Sequence, residues 1–139
     1  VRLPTNVLSN VWWPVRLDDE DFEKALCMWF NSTLGLFLLL GHRQETEGPW
    51  GGIKKPTLEA LPVLDPRELT TQARVDLCAA FDQIAHDELQ LIPSLDTDPV
   101  RLHIDEAVSD AVGGVDISPI REMLAREPLL SGSRETLYC

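Results

Sequence analysis

The sequence predicts an α+β fold, with a small strand-and-helix unit over residues 1–65 and about three acidic amphipathic helices over residues 66–139, packed as one compact domain. A Val- and Trp-rich stretch favours a strand at residues 7–17, and helical patterns follow it, the last three separated by short Pro and Gly linkers. Of the 139 residues, 44% are hydrophobic and 25% are charged. This composition argues against disordered and disulfide-scaffold classes and provides enough apolar material for a core.

Pro14 interrupts the predicted first strand. Because proline has no amide hydrogen for a ladder, we expect an edge strand or a bend there. An Asp at position 18, 19 or 21 then caps a helix, since a carboxylate accepts hydrogen bonds from the first-turn amides. The apolar positions of this helix follow i, i+3, i+4, i+7 spacing: Phe22, Ala25, Leu26, Trp29, Phe30 and Thr33.

Residues 25–41 are free of charge and approach the lower limit of roughly 17–25 residues for a membrane span. Asn31, Ser32 and Thr33 interrupt this run, and their side chains can bond backbone groups and break or bend the helix. An acidic cluster also precedes it. We therefore expect a buried core helix or two short ones, with the LGLFLLLG run fully buried and Gly41 as the C′ residue.

The remaining elements are marked by prolines and glycines. Residues 42–53 predict a loop that enters a short strand around residues 50–54, and a short helix follows at residues 56–61. Asp65-Pro66 with Glu68 predicts a capped helix that runs to about residue 89. A second should run from Asp98-Pro99 to Gly113, and a third should begin near Ser118-Pro119 and stop before Pro128. The inward positions are Leu69, Ala73, Leu77, Ala80, Phe81 and Ile84, then Val100, Ile104, Ala107, Val108 and Ala111.

The net charge of −11 argues against an autonomous, non-specific nucleic-acid binder. The charge is unevenly divided, because residues 1–58 hold 6 basic and 7 acidic side chains whereas residues 59–139 hold 6 and 16. The first segment is thus close to neutral at −1 and the second is −10. We expect the two segments to face different partners, and only the first to approach a polyanion.

Most enzyme signatures are missing from the sequence, including the phosphate-binding glycine loop, H-E-x-x-H and G-x-S-x-G. Cys27, Cys78 and Cys139 form no C-x-x-C motif, and the first two lie in apolar helical patterns that predict inert thiols. His86 and His103 fall on predicted solvent faces, and His42 falls in a loop. We therefore expect no metal site and no cofactor of the chain's own, in a reducing, cytoplasmic compartment.

Three strings occur in a fixed order: SNVWWPV at residues 9–15, ALCMWFNSTLGLFLLLG at 25–41 and GIKKPTLEALPVLD at 52–65. Together they resemble the C-terminal target-recognition region of bacterial N6-adenine DNA methyltransferases of restriction-modification systems, including fused restriction-methylation enzymes. In that family a strand leads into a helix with an Asn-Ser pair, then a basic or glycine-containing loop, then Leu-Pro-Val or Leu-Pro-Ile. Later residues are similar to helices that close some of these proteins: Arg101, Ile104, Asp105, Leu124, Glu127 and Pro128.

The resemblance implies a DNA specificity module that is not itself an enzyme. The family's catalytic Asn or Asp followed by Pro-Pro and an aromatic residue does not occur in this sequence, and neither does its S-adenosylmethionine loop. The chain begins at Val1 without a basic or apolar leader, so we expect a piece of a longer protein. The parent protein would bind S-adenosylmethionine, and this part would contact double-stranded DNA beside the methyltransferase domain or another subunit, away from any membrane.

Groove recognition requires cationic or hydrogen-bonding side chains on an exposed loop. Arg43 and Gln44 are the candidates for reading bases, and Lys54, Lys55 and Arg16 are the candidates for phosphate contacts. Trp12, Trp13 and Trp50 fit stacking on bases, although aromatic residues beside a strand are more often part of a core.

Two other functions remain open. In the first, the chain is a protein-interaction or scaffold domain whose acidic helices dock a basic partner. Contiguous placement of the DNA candidates on one face would favour DNA, and scattered placement would favour the scaffold. In the second, the chain is an enzyme in its own right, which would need a pocket with convergent His and carboxylate groups.

Overall fold

The part of the chain that the computed structural model describes, residue 15 and residues 17–45 and 51–127, is built from helices. Between the second and third helices, Gln44–Glu45 (β1) and Gly51–Gly52 (β2) form an antiparallel pair. A 3-10 turn lies at Ile92–Ser94. The helices are α1 (Glu20–Asn31), α2 (Thr33–Gly41), α3 (Lys55–Glu59), α4 (Thr71–Ile84), α5 (Pro99–Ala111) and α6 (Ser118–Ala125).

The predicted α+β fold class is wrong, because the described part is helical and contains no strand unit. The β1–β2 pair is two residues long on each side. Its second partner is Gly51–Gly52, which has no side chains to add to a core. The predicted strand at residues 7–17 lies outside the described residues except for Val15 and Leu17, which are irregular.

Helices α1, α4 and α5 provide most of the core. Full burial of a Leu, Ile, Val or Met side chain stabilises the folded state by about 1.5–3 kcal/mol. The contacts between the buried aliphatic side chains of these helices therefore hold the three helices together. Residues from both predicted segments share the cluster, although the predicted boundary at residue 65 stays a prediction. The buried members are Ala25 and Met28 of α1, Leu77 and Ala80 of α4, Ile104 and Val108 of α5, and Ile117.

Side-chain caps begin several of these helices where the sequence predicts them. Asp19 accepts from the Asp21 amide at 2.8 Å and caps α1. Asp98, which is buried, accepts from the amide nitrogens of Val100 and Gln90 at 3.0 and 2.9 Å. It therefore both caps α5 and holds the preceding loop, and the predicted start at Asp98-Pro99 is confirmed.

The predicted helix start at Asp65 is wrong. Asp65 accepts from the Arg67 amide at 3.0 Å, as a cap would, but its carboxylate also binds the Arg67 guanidinium and the chain turns through residues 66–68. Thr70 is the cap of α4, accepting from the Ala73 amide at 3.1 Å. The helix then ends at Ile84 instead of residue 89.

Helix α2 is less buried than its composition predicts. Phe37 is 40% exposed, and Leu36, Leu38, Leu39 and Leu40 are half-buried. Gly41 is the last helical residue, and the C-cap is His42. Within the described residues, no single helix is long and apolar enough to cross a membrane. Helices α1 and α2 are long and apolar enough only when they are taken together, and the angle between them is 68°.

Gly35 permits the close approach of α2 to the end of α1. A Cβ at this position would lie 2.1 Å from the Trp29 carbonyl oxygen, which is backbone and cannot rotate away. Gly41, in the same helix, has nothing within 4 Å of its Cβ position. The two glycines of α2 therefore have opposite tolerance for a methyl group.

We expect Gly35→Ala to lower the free energy of unfolding by about 2 kcal/mol or more, because the backbone must shift. Gly41→Ala is the matched control and should raise it by about 0.5–1 kcal/mol, since alanine restricts the unfolded chain. Urea unfolding measures both. Equal effects of the two substitutions would show that α2 does not approach α1 so closely.

Candidate nucleic-acid interface

The C-terminus of α2 leads directly into the β1–β2 hairpin. The His42 amide donates to the Leu38 carbonyl at 3.1 Å, and the Arg43 amide donates to the Leu40 carbonyl at 3.3 Å, so both are still bound to the helix end. The register pairs Gln44 with Gly52. Arg43 and Ile53 are consequently the next residues outward on the two strands, and Lys54 follows immediately.

Four of the five predicted DNA contacts lie in or next to the two paired segments of the hairpin. Arg43 is half-buried, whereas Lys54 and Lys55 are exposed. Gln44 lies in β1, and its side chain is not among those that the structure describes. Arg16 lies outside the described residues, as do Trp12, Trp13 and Trp50.

Most basic side chains in the described part already have partners within it. Lys55 approaches Glu59 at 3.6 Å across one turn of α3, an exposed pair that contributes at most about 1 kcal/mol and leaves the lysine accessible. The other occupied cations are Lys24 with Asp82, Arg67 with Asp65, Arg121 with Asp105, Arg126 with Glu122, Arg74 over the Phe22 ring, and Arg101 with the Asn31 carbonyl.

Arg43 and Lys54 are different from the other cations. Within the described residues, neither side chain has an ion pair, a hydrogen bond or a ring contact. Both lie just beyond the same end of the β1–β2 pair, Arg43 directly before β1 and Lys54 two residues after β2. Lys54 is the N-cap of α3 and makes no side-chain cap bond, as expected of an ammonium group, which can only donate.

The break between α1 and α2, residues 31–33, is held from α5 and α6. Asp105 accepts from the Thr33 amide and from Thr33 Oγ1, each at 2.7 Å, and from Arg121 Nη1 at 2.8 Å. Asp105 is 2% exposed and Thr33 is fully buried. A buried carboxylate requires such partners, and here it binds one of the free amides at the positive end of α2.

The other side of the break is bonded as well. Arg101, 7% exposed, donates through Nη1 to the Asn31 carbonyl, and its burial lowers the pKa of the guanidinium. Asn31 Nδ2 donates to the Cys27 carbonyl at 2.8 Å, and Ser32 Oγ donates to the Trp29 carbonyl at 2.7 Å. The prediction that these side chains bond nearby backbone and that the helix bends there is confirmed for Asn31 and Ser32. It is wrong for Thr33, whose hydroxyl donates to the Asp105 carboxylate of α5 instead. Sequence reasoning missed the roles of Arg101 and Asp105, because their partners lie about 70 residues away along the chain and no local pattern signals such a contact.

A second feature is a cleft of about 420 Å³ between α4 and α5. Asp76, Glu106 and Asp110 lie at it, as does His103. The prediction that His103 faces solvent is wrong, since it is half-buried and its Nε2 has no hydrogen-bond partner among the described residues. The described residues contain no His, Cys, Asp and Glu grouping that could hold a metal ion. The cleft is also lined by Thr70, Gln72, Ala73, Ala107 and Ala111.

Of the cysteines, Cys78 is buried and Cys27 is half-buried. Desolvation by burial raises the pKa of the Cys78 thiol, which disfavours the reactive thiolate. Cys139 lies outside the described residues.

No protein-family model, no curated protein and no solved structure matches this chain. Its function therefore has to be argued from its own residues.

The Asp65 carboxylate binds the guanidinium group of Arg67, and this pairing can be tested. Hydrogen bonds from Arg67 lower the pKa of Asp65 to about 2 from 3.8. The carboxylate's stabilising effect is thus complete above about pH 4 and is lost as the pH falls through about 2. Arg67→Gln should return the pKa towards 3.8, as measured by ¹³C NMR of the carboxyl group. The Asp116 pKa, lowered by Ser118, should not move. An Asp65 pKa still at about 2 in the variant would refute the pairing.

Proposed function

We propose that this chain is a non-catalytic DNA target-recognition part of a restriction-modification N6-adenine DNA methyltransferase. The observation that carries the proposal is the pair Arg43 and Lys54, which are unpaired within the described residues and lie at one end of the hairpin. The hairpin follows the family string at residues 25–41, and its last residue, Gly52, is the first residue of the string at 52–65. S-adenosylmethionine and methyl transfer then belong to another domain of a cytoplasmic parent protein.

Each candidate contact has a chemical rationale. A guanidinium group such as that of Arg43 can donate two hydrogen bonds to guanine O6 and N7, and an amide such as that of Gln44 can bond adenine N6 and N7. Lys54 and Lys55 supply ammonium groups for phosphates, which fix register but do not specify sequence. Arg16, close to the first family string, is a further candidate for a phosphate contact.

The affinity of the chain alone should be weak. Non-specific binding comes mainly from phosphate neutralisation, and few cations are available at the hairpin. The net charge of −11 opposes association further. The methyltransferase domain or another subunit would supply the remaining phosphate contacts, and the acidic helices after residue 58 would pack against that partner.

The α4–α5 cleft favours a second candidate function, a scaffold that docks a basic protein. Three carboxylates lie at the cleft, and none of the described residues that line it is Lys or Arg. Binding of a basic protein that persists when Arg43 and Lys54 are neutralised, with no binding of duplex DNA, would favour this alternative.

We expect Lys54→Gln to weaken binding of the full chain to short duplexes at low salt and to reduce the slope of log affinity against log salt concentration by about 0.9, the value for one lost phosphate contact. Arg126→Gln removes the same charge at the C-cap of α6 and is the control, which should leave the slope unchanged. Fluorescence anisotropy measures both. Equal losses in the two variants, or no binding at low salt, would contradict the proposal.

Arg43→Gln should instead change which duplexes are bound, because a bidentate base contact discriminates by about 1–3 kcal/mol. Selection from a random-sequence duplex library with each protein measures the preference. If the wild-type and variant proteins enrich the same sequences to the same degree, Arg43 does not read a base.

A further inference from the structure

We propose that Asp105 is the positioning residue of the candidate interface, because it sets the direction of α2 and hence the place from which the hairpin leaves the helical unit. The direction of α2 is a property of this chain alone. Its consequence for DNA rests on the proposed function.

The break is the point at which the direction of α2 is decided. Ser32 is the single residue between the two helices and is extended, with φ −74° and ψ 160°. One extended residue does not by itself hold two helices at one angle. The observed 68° bend therefore depends on contacts made by the residues around it.

Asp105 makes the contacts that define an orientation. Its two oxygens accept from two donors of the same residue, the Thr33 amide through Oδ1 and Thr33 Oγ1 through Oδ2. Two bonds to one residue restrict rotation as well as distance. Arg121 of α6 also donates to Oδ2, at 2.8 Å, so the carboxylate itself cannot turn freely.

Helix α5 holds both helices at the break. Arg101, one turn before Asp105, donates to the carbonyl of Asn31, the last residue of α1. Asp105 binds Thr33, the first residue of α2. The end of one helix and the start of the next are thereby fixed to a single rigid element, with spacing that places both side chains on one face of it.

The length of α2 converts its angle into a displacement at the hairpin. Its 9 residues span about 13 Å at about 1.5 Å per residue. A 20° change in direction would move its far end by about 5 Å, whereas a recognition contact has to be held within about 0.5 Å. Arg43 is two residues beyond that end. Asp105 therefore acts on the hairpin without contacting any ligand.

The test uses the full chain and four variants. Thr33→Val removes the hydroxyl bond while keeping the shape and the amide bond, Thr33→Ser keeps the hydroxyl, and Asp105→Asn removes the charge. Asp82→Asn is the control, since it breaks the exposed Lys24–Asp82 pair between α4 and α1. Thr33→Val decides the question if Asp105→Asn does not fold.

Residual dipolar couplings report the angle between α1 and α2 without DNA. We expect about 68° in the wild type, in Thr33→Ser and in Asp82→Asn. In Thr33→Val and Asp105→Asn, the dipolar couplings of α2 should either become smaller, as in a helix that changes its orientation, or fit a different angle. The couplings of α4 and α5 should be unchanged. An unchanged α2 direction in Thr33→Val overturns the proposal, as does the same change in the Asp82→Asn control.

The DNA readout uses the duplexes selected by the wild type. The ratio of affinity for selected over unselected duplex should fall about tenfold in Thr33→Val, the discrimination of one bidentate base contact, and Thr33→Ser should restore it. Affinity for unselected duplex should not change. Equal losses for both duplexes would indicate a merely structural role and overturn positioning. If the wild type selects no duplex, the proposed function fails, and the dipolar couplings still decide the role of Asp105.

Discussion

The structure depends most on the carboxylate of Asp105 and its hydrogen bonds to Thr33. This group is 2% exposed and 72 residues away from Thr33 in the chain. Its partners are satisfied only when α2, α5 and α6 are all in place, because Thr33, Asp105 and Arg121 each belong to a different helix. Removing one member of such a buried network leaves the others unpaired in a low-dielectric site, which costs more than the lost bond alone.

The remaining features of the helical unit are consistent with that constraint. The aliphatic core joins α1, α4 and α5 but contains few residues of α2, whose leucines are half-buried. Apolar burial thus holds the three longer helices, and polar bonds at the break place α2. Gly35 allows this placement by bringing α2 against the Trp29 carbonyl without a steric clash. The hairpin inherits its location from α2, since the first residues after the helix are still bonded to its last turn.

Sequence reasoning succeeds where the signal is local. The caps Asp19 and Asp98 and the short helices α3 and α6 follow from side-chain chemistry within a few residues. It fails at Asp65 because the Arg67 side chain competes for the same carboxylate. The α+β prediction fails because the described core is made by helices, whereas the β1–β2 pair is two residues long on each side.

The candidate interface was accessible from sequence only in part. The cations at positions 43, 54 and 55 are visible in the sequence. Arg43 and Lys54 lack partners within the described residues because of where the acidic side chains of that part lie, which the sequence does not show. Arg101 and Asp105 read as residues of an acidic amphipathic helix, and their bonds to residues 31 and 33 join positions about 70 apart. No periodicity or spacing rule predicts a contact over that separation.

A double-mutant cycle between Asp105→Asn and Thr33→Val tests the central claim most directly. Urea unfolding of the wild type, both single variants and the double variant gives the coupling free energy between the two side chains. The bonded pair predicts a coupling of about 1 kcal/mol or more, with the double variant less destabilised than the sum of the single variants. Additivity within about 0.3–0.5 kcal/mol would show that the two side chains act independently and would contradict the account.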